Sequence, residues 1–186
     1  MIRYAGVVAV ALAISPACGD GSESASSDAG AHPSAEDMRE QLEQKLNATS
    51  SADALEVTYD DMHAFHGGET LTATGDTLRT RYFFPGDASP RQIEPSPIIM
   101  TAQQVRTLVR LLLELEAWEQ RVPDREAVLD ESVATLSMRI GSIESYIWEW
   151  YNDLSANDRI IRVKQLLEKF AGPAPEEPLE REPSAG

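Results

Sequence analysis

Apolar and polar positions along this chain follow two periods, and the switches between them mark its elements. Met38, Leu42 and Leu46 recur every fourth residue, which places them on one face of a short helix, and Ser34 with Asp37 supplies a capping box at its start. Leu55-Glu56-Val57-Thr58-Tyr59 then alternates strictly, as a half-buried strand does. Leu71 to Thr74 and Leu78 to Phe84 flank Gly75-Asp76, so a hairpin is expected there, with Leu78, Thr80, Tyr82 and Phe84 on one face. The helical period returns at Val105, Leu108, Val109, Leu112 and Leu115. Thr101 is placed to cap that helix, Gln104 completes a capping box, and Met100 can staple onto Val105.

A second hairpin can be read down to its register. Leu136, Met138 and Ile140 alternate with Ser137 and Arg139, and Gly141-Ser142 suits a two-residue turn with glycine first. That turn pairs Ile140 with Ile143, Arg139 with Glu144 and Met138 with Ser145. Opposite charges at Arg139 and Glu144 favour this pairing by a few tenths of a kcal/mol to about 1. The same register puts Tyr146, Trp148 and Trp150 on the face opposite Leu136, Met138 and Ile140. A last helix is expected from Ser155, with Asp158 as its box partner. It would bury Ile160, Val163, Leu167 and Phe170 and stop at Gly172-Pro173.

Three stretches carry neither period. Residues 19–35 are mostly Gly, Ser, Ala and Asp, a spacer composition. Pro85 to Pro97 holds four prolines and is expected to be a loop. Residues 172–186 combine prolines with glutamates, the composition of a disordered acidic tail. The organisation expected is therefore residues 1–17 as a signal peptide, 18–35 as a lipidated cysteine with its spacer, 36–171 as one α+β domain and 172–186 as the tail. Within the domain, a short N-terminal helix precedes β-β-β-α-β-β-α. Strand runs broken by single helices predict an antiparallel sheet of about five strands with helices packed on one face.

The signal assignment rests on Arg3, the apolar run from Ala5 to Ile14, and Ser15-Pro16-Ala17 before Cys18. That run is too short to cross a bilayer, which takes about 20 residues. Cys18 resembles the cysteine of a bacterial lipobox, which becomes diacylated and begins the mature chain. Ala17 fits that motif, whereas Ser15 stands where leucine is usual and Pro16 is atypical. Ordinary cleavage after Ser15-Pro16-Ala17 is the alternative, and it would release a secreted protein. Lipidation implies attachment to the membrane through a diacylglycerol-cysteine in the bacterial cell envelope, on the outer membrane or the periplasmic side. Gly19 carries none of the aspartate that retains enterobacterial lipoproteins at the inner membrane. Cys18 is the only cysteine, so a lipidated chain has neither a disulfide nor a thiol nucleophile, and its core alone must hold it.

Charge narrows the partners. A formal net charge of −15 without a basic stripe argues against nucleic acid and against adsorption to anionic lipid, and acidic surface favours solubility. Hydrophobic residues make up 42% of the chain, enough for a core built mainly of aliphatics.

Phe65-His66-Gly67-Gly68 after the first strand, the helix from Thr101, the hairpin about Gly141 and the closing helix together resemble the small α+β domain of emfourin-type bacterial proteins. The resemblance spans residues 55–171 and implies that fold. The founding activity of that family is inhibition of a thermolysin-like metalloprotease, and no inhibitory residue is carried over.

Candidate chemistry is sparse. Asp60, Asp61, His63, His66 and Glu69 crowd one stretch, and His63, His66 and Glu69 form a weak candidate zinc set. On a regular strand two histidines three apart face opposite ways, so only a turn, which Gly67-Gly68 permits, would unite them. The more economical reading is a polar strand end entering a hairpin, and no cofactor is expected. There is no HExxH, no Gly-x-Ser-x-Gly and no phosphate loop. Glu114, Glu116 and Glu119 are read as the solvated side of the second helix. Tyr146, Trp148 and Trp150 either lie beneath Met38, Leu42 and Leu46 or form an open aromatic patch, the mark of a partner surface. Two classes follow: a non-catalytic envelope lipoprotein that binds another exported protein, inhibitor-like in character, or a metal-dependent hydrolase using the histidine cluster. The missing catalytic set favours the first.

Overall fold

The polar–apolar alternation becomes a seven-strand antiparallel open sheet with helices, an α+β fold. The computed structural model describes residues 35–47, 54–63, 65–86, 91–121, 125–126, 128 and 131–176. These lie in one unit, His32–Gly186. The signal-like segment, Cys18, the spacer, Ser34 and the tail beyond residue 176 lie outside the described residues.

Helix α1 (Ala35–Asn47) leads into β1 (Glu56–Asp60), β2 (Gly68–Thr74) and β3 (Thr77–Phe84). Two short strands follow, β4 (Arg91–Ile93) and β5 (Ile98–Ile99), before α2 (Ala102–Leu115), β6 (Val133–Ile140), β7 (Ile143–Trp150), a 3-10 turn (Tyr151–Ala156) and α3 (Asp158–Ala171). In space the strands run β4-β3-β2-β1-β6-β7, and β5 continues along the outer side of β3 beyond β4.

Both hairpins form where glycine-led turns were read. Thr74 faces Thr77 across Gly75-Asp76, and Gly75 takes φ +61°, a conformation that glycine adopts without strain. The second hairpin has the expected register throughout, Ile140 with Ile143, Arg139 with Glu144 and Met138 with Ser145. Thr101 caps α2, its hydroxyl accepting from Gln104 N–H and the Gln104 side chain returning to Thr101 N–H at 2.8 Å. Gly172 ends α3 at φ +81°.

The expectation of about five strands needs correction. Two more strands line β3: β4 arises inside the proline-rich stretch that was expected to be a loop, and β5 directly after it. Tyr82 pairs with Ile93 and Leu78 with Ile98, so three residues of β3 face four residues, 94–97, on the outer strand. That extra residue is a bulge, and Pro95 and Pro97 occupy it. Proline lacks an N–H and is tolerated in a sheet at bulges and outer edges, which is why a proline count alone misjudged this stretch. The start of α3 differs too. Ser155 lies in the 3-10 turn, and the cap is Asn157, whose Oδ1 accepts from Ile160 N–H at 3.2 Å. Asn157 is held in turn by Glu149, Nδ2 to Oε2 at 3.0 Å, a tertiary contact invisible to a local capping rule.

One face of the sheet builds the core. Val57, Tyr59, Leu71, Ala73, Leu78, Leu136, Met138, Ile140 and Ile147 are buried together with Leu108, Val109 and Leu112 of α2 and Ile160, Val163 and Leu167 of α3. Met38 and Leu42 of α1 belong to the same cluster, and Arg39 lies over the ring of Trp118 just beyond α2. The side chains of the other face, Thr58, Thr72, Ser137 and Tyr146 among them, are half-buried or exposed. Carboxylates read as a solvated side of α2 do face solvent and are also ion-paired: Glu114 with Arg162, Glu116 with Arg39 and Glu119 with Arg159. Arg159 is buried and donates from Nε to the carbonyls of Leu115 and Glu116, satisfying the end of α2. No helix among the described residues is long and apolar enough to cross a membrane.

Candidate interaction face and sheet edge

Alternation along β7 decides what its aromatic residues can do. Ile147 and Glu149 point into the core side, so Tyr146, Trp148 and Trp150 point the other way, where they stand opposite Ser137, Thr135 and Val133. Met38 and Leu42 are buried with the core-side residues, a cluster to which the three aromatics do not belong. They differ in exposure. Tyr146 is 59% exposed, while Trp148 and Trp150 are half-buried and meet edge to face, ring centres 5.2 Å apart at 83°.

Trp150 is roofed by a cation. The guanidinium of Arg125 lies 5.6 Å from its ring centre and is held by Glu131 through two bonds of 2.6 and 2.7 Å and by Asp153. The hydrogen bond from Arg125 holds the Glu131 carboxyl below the ordinary glutamate range, and the two carboxylates raise Arg125 in return. Tyr146 has no such roof. It borders a cavity of about 460 Å³ lined by Glu56, Ser137, Met138, Arg139, Glu144 and Ser145. Arg139 stands between two acids, Glu56 on β1 and Glu144 on β7. Its guanidinium goes to Glu56, at 3.2 Å to both oxygens. The register read from the Arg139–Glu144 charges is correct, yet the ion pair forms across the other neighbour.

Gln120 shapes the edge itself. Its carboxamide accepts from Trp148 N–H at 2.7 Å and donates to Trp148 C=O at 3.1 Å, where an adjacent strand would bond. Nothing in the local sequence marks Gln120 for this role; it depends on how the segment after α2 returns to β7. Arg125 likewise carries no local mark, since its contact with Trp150 is set by the tertiary path.

The histidine stretch does fold into a turn. His63 and Gly67 bond reciprocally, at 2.9 and 3.0 Å, and the rings of His63 and His66 stack 4.8 Å apart. Gly67 and Gly68 both have positive φ, and a Cβ on Gly68 would come within 2.5 Å of the Asp61 carbonyl oxygen. Glu69 leaves this group for the core side, where its carboxylate bonds Lys164 of α3. His63 Nδ1 is taken by Phe65 N–H at 3.2 Å. Among the described residues no group of three or more His, Cys, Asp or Glu is placed to hold a metal ion.

Glu69 instead enters a partly buried polar cluster that no local pattern of residues marks. Tyr59 Oη donates to Asp61 Oδ2 and Glu69 N–H to Asp61 Oδ1, both at 2.6 Å. Lys164 bridges Glu69 and Glu168 and sits 5.1 Å from the Tyr59 ring centre. Burial pushes the Glu69 carboxyl up, which Lys164 only partly offsets. Burial opposes the charge on Lys164, but the bonds to Glu168 and Glu69 outweigh it and raise its pKa. Burial and then Asp61 push the Tyr59 hydroxyl well above its usual range. These groups satisfy one another and pin α3 to β2, a structural use.

Compared with family models, curated proteins and solved structures, the chain matches none of them.

Proposed function

We propose that this chain is a lipid-anchored protein of the bacterial cell envelope whose folded domain binds another exported protein, without catalysis and in an inhibitor-like manner, through the uncovered side of its sheet. In this reading the helices all pack on one face, as their shared core cluster supports, and leave the aromatic row of β7 open. The observation that carries it is Tyr146, 59% exposed on a face that contributes nothing to the core and beside a cavity with an unbalanced acid. Large exposed aromatics at the rim of charged residues favour partner binding. Attachment rests on Cys18 after the apolar run. The spacer that follows it would set the domain away from the membrane.

The test is affinity capture from envelope extract followed by mass spectrometry. Wild type is expected to retain one protein that Tyr146→Ala and Trp148→Ala lose. Equal retention by all three, or none by any, contradicts binding through this face. Stoichiometric zinc in the purified protein, lost on His63→Ala, would favour the hydrolase instead. Anchoring is checked by palmitate labelling: Cys18→Ser is expected to abolish both label and membrane fractionation.

A further inference from the structure

Antiparallel pairing fixes which backbone groups of an outer strand look outward. Ile140 and Ile143 close a two-residue turn, and Tyr151 N–H donates to Ser132 C=O at 3.0 Å. Odd-numbered residues of β7 therefore turn their backbone groups toward β6, and even-numbered residues turn theirs away. Trp148 is one of the latter, and Gln120 takes both its groups. The Trp150 N–H goes to Glu149 Oε1 at 3.0 Å. Glu144 and Tyr146 keep both outward groups without a partner among the described residues.

The carboxamide of Gln120 has the donor and acceptor of a peptide group, so this edge already holds one strand-like ligand beside an open position of the same kind. Charge says what fits there. Arg139 bonds Glu56, so that among the described residues no cation pairs with the exposed Glu144 carboxylate at the rim of the strand. A second copy is a poor occupant, because each chain carries a formal net charge of −15. An extended basic segment supplies both the backbone groups and the missing cation.

Resting on the protein-binding reading above, we infer that the β7 edge at Glu144–Tyr146 takes an extended segment of the partner protein as an added strand. A Lys or Arg side chain of that segment lies beside Glu144, and an apolar side chain two residues away packs on Tyr146.

The probe is the peptide acetyl-Thr-Lys-Thr-Val-Thr-Lys-Thr-amide, titrated into the ¹⁵N-labelled full chain. The expected result is perturbation and slowed exchange of the Glu144 and Tyr146 amides. N-methylation of one alternate set of peptide amides should abolish binding and N-methylation of the other set should leave it. Replacing both Lys by Glu should weaken binding about fivefold, and Glu144→Lys should reverse that preference. Unperturbed Glu144 and Tyr146 amides, or equal binding of the two N-methylated forms, overturns the inference.

A second measurement separates it from the broader reading. Glu144→Pro removes one outward N–H while leaving the ladder to β6 and the aromatic row intact. If Trp148→Ala loses the captured partner and Glu144→Pro retains it, the aromatic face stands as the binding surface and strand addition falls. If both lose it while Glu144→Gln retains it, strand addition is supported.

Discussion

The two edges of this sheet face the same hazard and meet it differently. Along β3 the outer strand is broken into β4 and β5, separated by a bulge that holds Pro95 and Pro97. Short strands, bulges and proline each prevent another chain from pairing there. Along β7 the edge is one eight-residue strand without proline, where Gln120 takes both outward groups of Trp148 and Glu149 takes the N–H of Trp150. The β3 half is also clamped from its core side by Lys164 on Glu69, whereas the β7 half carries exposed Tyr146. A chain that blunts one edge so thoroughly and leaves the other open to pairing treats the two as different surfaces. That contrast is what points to β7 as the side meant for company.

Four measurements sharpen or break the contrast. The largest effect is expected from Lys164→Met, which strands the Glu69 carboxylate against the core and should cost about 2–3 kcal/mol in urea unfolding. Lys164→Met with Glu69→Leu should recover most of it. A loss no larger than that of an exposed ion pair would show that the β3 half is not clamped in this way. Gln120→Ala comes next, at about 1 kcal/mol, because it frees both groups of Trp148. Amide exchange should accelerate at Trp148 and leave Leu71, inside the sheet between β1 and β3, unchanged; unchanged exchange at Trp148 would mean the edge was already open there.

Acid provides a gentler perturbation. The Glu131 carboxyl is held low by Arg125, so its contribution is complete above the unfolded value of about 4.3 and fades as pH falls through the lower folded value. Near-UV circular dichroism of the tryptophans should hold steady down to about pH 4.3 and change below it. A change centred well above that would contradict the Arg125 roof over Trp150. Smallest is Arg139→Ala, at about 0.5 kcal/mol for an exposed pair, with Glu56 losing its partner and Glu144 losing none. A double-mutant cycle with Glu56→Ala should show coupling, and one with Glu144→Ala should show none.

Local chemistry made much of this fold legible. Gly75-Asp76 and Gly141-Ser142 fixed both hairpins, and the Thr101–Gln104 box fixed the start of α2, because each depends only on neighbouring residues. What escaped was whatever depends on a distant partner. Arg91–Ile93, set among four prolines, reads as a loop until β3 is known to need an outer neighbour there. Ser155 looks as good a cap as Asn157 until Glu149 is seen holding the latter. Arg139 was matched correctly to Glu144 in register, but its choice between two acids requires knowing that β1 lies on its other side. The aromatic row was legible as a face because alternation is a local property. Gln120 and Arg125, which decide how much of that face and edge is open, were not.

The position of β1 carries a last consequence, for how the chain reaches this structure. Every other strand pair joins elements close in sequence, but β1 joins β6 across a separation of 75 residues between Asp60 and Thr135. Two locally assembled meanders are thus stitched along one seam, and nearly all the loop-closure entropy of the sheet falls on that seam. Substitutions along Glu56–Asp60 facing β6 should slow folding more than equally destabilising ones in either hairpin. The outer strand β7, whose strand partner is β6, is carried into the sheet by that single closure.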